Sequence, residues 1–310
     1  MKISFSSQFA LIFSFVISIN YSTAQNNAKL SFHKGFHLLT IDKQEALKHL
    51  TNAIQLDSTN AESYYYRGLV HYKLEENKKA LDDFSKALYY DSSLNIVYIY
   101  KGFTYRNLGD INQAVTEFNT YLDKNPSDTS AYSFILRGKW KQQLGNYSGA
   151  IEDYNMAVAL KPIEEKYYYY RFLTMYNKQN YKMALQEINK VIALNSEFYG
   201  YHYYKGNTLF FLHRFKESIA VYNKSLTLND YNSDAYFQRG LAYEQLHSFD
   251  EATESYNMAI IMNPNDGAYY SKRGNSKYAH GDKVGACDDW DQANTLGYYE
   301  DYEKMKKLCE

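Results

Sequence analysis

The chain has 310 residues and a formal net charge of −1, with 34 basic side chains set against 35 acidic ones. That balance excludes the basic footprint by which proteins hold nucleic acid. Tyrosine is the outlier of the composition, at 35 residues, more than core packing alone would select.

Met1 and Lys2 precede an apolar run of eleven residues from Phe9 to Ile19, and Ser22-Thr23-Ala24 follows. A positive start, a hydrophobic centre and small residues three and one before a cut after Ala24 predict a secretory signal peptide over residues 1–24. The run is short for a membrane anchor, which takes about 20 apolar residues, and no cysteine near the cut could carry a lipid. The expected mature chain, Gln25 to Glu310, works in the periplasm or is secreted, with no transmembrane segment.

From there almost to the end, one unit recurs. Ser233 to Pro264 shows it in full: Tyr236, Gly240 and Tyr243 mark one stripe of a first helix, and His247 to Asp250 make a turn. Ala252, Tyr256 and Ala259 mark a second helix, which Asn263-Pro264 stops, since proline lacks the amide that continuation needs. The glycine returns at Gly68, Gly102, Gly138, Gly206, Gly240 and Gly274, with Phe172 in the slot that lacks it; the intervals are 34, 36, 34, 34, 34 and 34. Twelve residues later stands a small residue: Ala80, Ala114, Ala150, Ala184, Ser218, Ala252 and Ala286. Four further on comes an aromatic, with Ile188 the exception. The three prolines, Pro126, Pro162 and Pro264, each lie 24 residues after their glycine. Three marks in one register define a repeat protein.

This period and pattern resemble the tetratricopeptide repeat family over roughly Asn27 to Ala293. The resemblance implies an all-α fold, a right-handed α-solenoid of about eight helix pairs. It implies a scaffold that binds proteins or peptides, without catalysis and without a cofactor, and it does not name a partner. No linker rich in glycine, serine or proline divides the chain, so one continuous array is expected over residues 25–297, closed by a capping helix at 298–310. Its first unit is atypical: Ala46, Leu50 and Ala53 repeat the second-helix stripe, but Gly35 is one residue too close to Ala46, which predicts a tighter turn. In the last unit, Gly297 reads as a left-handed stop after Trp290 and Ala293. Tyr302, Met305 and Cys309 then share one face of the cap. Cys287 and Cys309 are the only cysteines; they are either a disulfide pinning the cap or two buried thiols.

Each first helix carries a second stripe, three before and one and four after the glycine. In the resembling proteins, the first helices line a concave wall. The candidate groove is therefore Tyr65, Leu69 and Tyr72; Ile99, Phe103 and Arg106; Lys139; Tyr169 and Tyr176; Tyr203, Asn207 and Phe210; and Phe237 and Glu244. Tyrosine suits such a surface, with large contact area, little entropy to lose and a hydroxyl. Two readings stand at this point: the rings line a groove for a protein or peptide, or they pack on each other between repeats. A row of rings also suits stacking on a sugar, so a glycan or peptidoglycan is the alternative ligand. Family members that clamp acidic C-terminal peptides use lysine, asparagine and arginine on this wall; Tyr65, Leu69, Ile99 and Phe103 fill much of it here, and that specificity is not expected.

A basic residue precedes nearly every glycine: Arg67, Lys101, Arg137, Arg171, Lys205, Arg239 and Arg273. Asp83, Glu117, Asp153, Glu187 and Asp289 answer on the second helices, which predicts ion pairs between packed helices in preference to a ladder for an acidic ligand. Val221 and Ser255 break that series, leaving Lys205 and Arg239 without an acid. Catalytic chemistry finds no footing. His33 and His37 have metal-ligand spacing but no third ligand, the paired acids at 82–83, 152–153 and 288–289 point apart on a helix, and no nucleophile motif is present.

Overall fold

A computed structural model describes residues 23–127, 130–298 and 302–310, with the backbone alone at 302–304. All but the last two residues of the expected signal segment lie outside this range. The described residues form helices and no strands: α1 (23–38), α2 (Lys43–Leu56), α3 (Ala61–Lys73), α4 (Asn77–Tyr90), α5 (Ile96–Asn107), α6 (Ile111–Lys124) and α7 (Ala131–Gln143). They continue with α8 (Tyr147–Leu160), α9 (Glu165–Asn177), α10 (Tyr181–Leu194), α11 (Tyr199–Phe211), α12 (Phe215–Leu228), α13 (Ser233–Glu244), α14 (Phe249–Met262), α15 (Gly267–His280), α16 (Lys283–Thr295) and α17 (Tyr302–Cys309). In chain order, odd and even helices alternate as first and second helices of eight repeats, and α17 follows as the cap. None of these helices is long and apolar enough to cross a membrane. The chain divides into two compact units, one ending at Asn146 and the other beginning at Tyr147, within the fourth repeat.

Local chemistry sets the helix limits. Asp42, Asn60, Asp110, Asn180, Asn232, Asp266 and Asp282 each accept a hydrogen bond from a first-turn amide and cap the helix they precede. Seven residues after each repeat glycine, or after Phe172, the backbone turns left-handed, at Glu75, Gly109, Gly145, Gln179, His213, His247 and Gly281. The next amide reaches back to a carbonyl five residues earlier, as Glu76 N does to His71 O at 2.9 Å and Asp282 N to Lys277 O at 2.9 Å. This is the Schellman turn, and it reverses the chain between the helices of a pair. Gly297 is left-handed too, at φ 81°, as its stop role required.

The repeat glycine makes room for the ring sixteen residues on. A Cβ at Gly68 would stand 2.8 Å from the Phe84 ring, and one at Gly274 2.7 Å from Trp290. The approach that excludes a side chain is thus made by the pair's own second helix. Phe84, Phe118, Tyr222 and Tyr256 are fully buried beneath it. In the first pair, Gly35 meets Leu50 in the same way. The turn there is not tighter. Residues 39–42 make it four residues long against three at 74–76, and α1 absorbs the register shift by ending three residues after its glycine. The two extra residues of the 36-residue interval lie in the six-residue connection from α6 to α7, where other connections take four or five.

Candidate partner-binding groove

The predicted stripe sits on α3, α5 and α7 of the first unit and α9, α11 and α13 of the second. Tyr65, Leu69, Tyr72, Ile99, Phe103, Tyr169, Tyr176, Tyr203, Phe210, Phe237 and Glu244 are half-buried, Arg106 and Lys139 are exposed, and Asn207 is buried. The rings neither stand free nor disappear into the core. In the first unit, Tyr65, Tyr72 and Phe103 gather around Tyr100, with centroids 5.9, 6.1 and 6.1 Å away. In the second, Tyr169 and Tyr176 lie 6.0 and 6.3 Å from Tyr204, and Phe237 lies 4.8 Å from Tyr269. Tyr65, Tyr72, Phe103, Tyr169, Tyr176 and Phe237 spend one side on the next repeat, whereas Tyr203 and Phe210 meet rings of their own repeat. Tyr100 and Tyr204 were absent from the predicted stripe. They stand two residues before the glycine, on the side of the first helix that meets the preceding repeat.

Burial governs the ionisation of this lining. It pushes the Tyr176 hydroxyl up to about 12 and raises Tyr65, Tyr169 and Tyr203 as well. These phenols are protonated donors at any physiological pH. Burial also raises the Glu244 carboxyl, against the opposing hydrogen bond that it accepts from Ser276 Oγ at 2.9 Å. Asn207 takes its place by another logic: its amide oxygen accepts from the buried Tyr222 hydroxyl at 2.6 Å. Asn275 likewise accepts from Trp290 Nε1 at 3.0 Å. Where the core ring carries a donor, the residue after the glycine can supply the acceptor. Leu69 over Phe84 and Phe103 over Phe118 need none. Leu241 over Tyr256 breaks this rule: the buried Tyr256 hydroxyl makes no hydrogen bond of full geometry, and burial, then the nearby Glu244 carboxyl, raise its pKa.

The basic series is structural, and Arg67, Arg171, Arg239 and Arg273 each join three helices. Arg67 forks onto Asp83 at 2.8 and 2.7 Å and reaches Thr51 of α2 at 3.3 Å. Arg171 pairs with Glu187 and donates to Asn155 of α8 at 2.8 Å; Arg273 pairs with Asp289 at 2.9 and 2.5 Å and donates to Asn257 of α14 at 2.7 Å. Lys101 meets Glu117 at 2.7 Å. The four carboxylates are buried, so the pairs are geometric necessities of the packing more than sources of net stability. The two residues without an acid part company. Arg239 donates to Ser255 Oγ at 3.1 Å and Asn223 at 2.7 Å and lies over Tyr236. Lys205 makes no hydrogen bond or ion pair among the described residues.

Cys287 and Cys309 are joined in a disulfide, Cα atoms 5.9 Å apart, which ties α17 to α16. Among the described residues, no three histidine, cysteine, aspartate or glutamate side chains converge as a metal-holding set.

Comparison with known proteins agrees with this fold. Residues 44–75 match the family described as TPR repeat, and residues 233–266 match the one described as tetratricopeptide repeat; neither is an enzyme family. No curated protein matches the chain. Among solved structures, the C-terminal part of a TPR repeat-containing protein from Cytophaga hutchinsonii superposes with a TM-score of 0.67 at 20% identity, over 79% of this chain and 99% of that one. A tetratricopeptide repeat protein from Parabacteroides merdae gives 0.55 at 19% identity, over 81% and 97%. YrrB, described as a TPR protein with an unusual peptide-binding site, gives 0.53 at 19% identity, over 61% and 97%. The chain carries tetratricopeptide repeats at residues 44–75 and 233–266 and has the fold of tetratricopeptide repeat proteins.

Proposed function

We propose that this protein is a non-enzymatic adaptor that holds a protein or peptide partner against the aromatic stripe of its first helices. The observation that carries the reading is the set of half-buried rings within each unit, Tyr65 to Phe103 in the first and Tyr169 to Phe237 in the second, interlocked with their neighbours and still reaching the surface. Rings fixed by packing lose little entropy on binding, and their protonated hydroxyls add directional donors. YrrB, a fold relative, is described as having a peptide-binding site, which is compatible with a peptide here. The interlocking favours a peptide over a glycan, because ring edges turned into neighbouring rings leave fewer flat faces for a sugar.

The work site is the periplasm or the cell exterior, as the N-terminal pattern Met1–Ala24 predicts. Sequencing the N-terminus of the protein recovered from cells tests this; a chain beginning at Gln25 supports export, and one beginning at Met1 in the cytoplasm overturns it. Binding is tested by crosslinked pulldown from envelope extract with the wild type and with Tyr169→Ala/Tyr203→Ala. The expected result is a defined partner captured by the wild type and lost in the variant, with helical circular dichroism retained. A partner held equally by both proteins excludes the stripe, and retention on peptidoglycan in its place would establish the glycan.

A further inference from the structure

Lys205 is the break in an otherwise regular series. At its place in the repeat, Arg67, Lys101, Arg171 and Arg273 each meet a carboxylate from the residue sixteen positions on. Arg67, Arg171, Arg239 and Arg273 also lie over the ring three residues before them, and so does Lys101. For Lys205 both supports are replaced. Val221 occupies the acid's position, and His202 occupies the ring's position with Nε2 engaged at the Ser196 carbonyl, 2.8 Å away. The charged groups that it senses, Arg214 and Glu217, are already paired with each other at 2.7 and 2.6 Å. Lys205 is half-buried and burial lowers its pKa, as expected for an ammonium withdrawn from water without a counter-charge.

The surroundings have the complementary sign. From Tyr181 to Leu228, the span of α10, α11 and α12, there are six lysines and arginines against three acids, in a chain whose net charge is −1. A half-buried cation in a positive region is an electrostatic vacancy for an anion. The Lys101–Glu117 pair, at 2.7 Å, shows that a lysine at this repeat position accepts a carboxylate directly.

We propose that Lys205 is the centre of an acidic-segment docking site on the side of α11 that faces the second helices, where an aspartate or glutamate of a partner takes the place that Val221 leaves without a charge. This surface is separate from the aromatic stripe: the two positions lie about 160° apart around the first helix at 100° per residue. The inference does not depend on the groove being used.

The test measures binding of a fluorescein-labelled hexaglutamate peptide by anisotropy at low salt, with a hexaglutamine peptide as control. Wild type is expected to bind hexaglutamate and not hexaglutamine. Lys205→Met removes the cation, and Val221→Glu supplies a resident carboxylate; each should weaken binding at least tenfold. Val221→Glu should also raise the melting temperature, which a lesion to the fold cannot do. Lys161→Met, exposed just past α8 and outside the α10–α12 span, makes the charge change of Lys205→Met elsewhere and should alter binding less than twofold. Wild type failing to bind, Val221→Glu binding as wild type, or Lys161→Met losing as much as Lys205→Met would each overturn the proposal. If Val221→Glu fails to fold, Lys205→Gln takes its place, with the same tenfold criterion.

Discussion

Phe172 and Ile188 have exchanged roles across the α9–α10 pair. At Gly68, Gly102, Gly206, Gly240 and Gly274 the first helix contributes a glycine and the second an aromatic ring; here the ring comes from the first helix and the smaller aliphatic from the second. Both are fully buried in one cluster with Met175, Ala184, Val191 and Tyr201. The volume at the centre of the pair is conserved although its source is reversed, as close packing of an interior requires.

That exchange predicts strong coupling. Phe172→Gly alone leaves a ring-sized cavity and should destabilise by about 3–5 kcal/mol. Ile188→Tyr alone overfills the site and should lose about 1–3 kcal/mol. The double variant restores the arrangement of the other repeats and should be more stable than Phe172→Gly. Denaturant unfolding of the four proteins checks this; additive losses would show that the two side chains do not share the space.

The left-handed turn residues give a second prediction. Gln179 is exposed, has φ 59° and fills a position that is glycine in three other repeats. Left-handed geometry costs an L-residue roughly 1–2 kcal/mol, part of which glycine returns through its greater freedom when unfolded. Gln179→Gly should stabilise by about 0.5–1 kcal/mol, and Gly145→Ala should destabilise by about 1 kcal/mol. Melting temperatures of the two variants should move in opposite directions.

Two buried hydroxyls should respond differently to removal. Tyr222 donates to Asn207, so Tyr222→Phe orphans the amide oxygen and should lose about 1–2 kcal/mol. Tyr256 makes no hydrogen bond of full geometry and only neighbours the Glu244 carboxyl, so Tyr256→Phe should lose less than Tyr222→Phe, under about 1 kcal/mol. Chemical denaturation resolves the difference.

Glu244 makes stability depend on pH. Burial raises its folded pKa above the unfolded value, so between the two values the folded state binds more protons than the unfolded state. This contribution favours the fold at low pH, and it declines as pH rises past the unfolded value, about 4.3, and through the raised folded one. Glu244→Gln keeps an acceptor for Ser276 and removes the titration. The variant should therefore be more stable than wild type at pH 7 and nearly equal to it at pH 4, by thermal melts at both.

The disulfide should hold the cap. Closing a loop of 22 residues is worth about 3 kcal/mol in the chain-entropy model, and an eight-residue helix is not stable alone. Reduction, or Cys309→Ser, should free residues 302–309 to rapid amide exchange while α9 to α14 stay protected.

Repeat number, pairing of helices and the arginine–acid partnerships were legible because each is a fixed spacing in one chain. What the sequence concealed was compensation between slots. Phe172 and Ile188 read as two separate exceptions, since a periodic table of positions does not show which of them touch. The left-handed turn was hidden because glutamate, glutamine, histidine and glycine share a backbone conformation there and no side-chain chemistry. Lys205 and Arg239 looked equivalent, and only the guanidinium fork reaches two neutral acceptors at once. The stripe itself was readable; Tyr100 and Tyr204, which clamp it from the adjoining repeat, were not.

Each arginine of the series is a cross-tie to the second helix of the preceding repeat, so a repeat cannot fray without breaking its neighbour's hydrogen bond to a guanidinium. Lys205 makes no such tie. Within the second unit, loosening that starts at either end meets a seam there, and that is where it can halt.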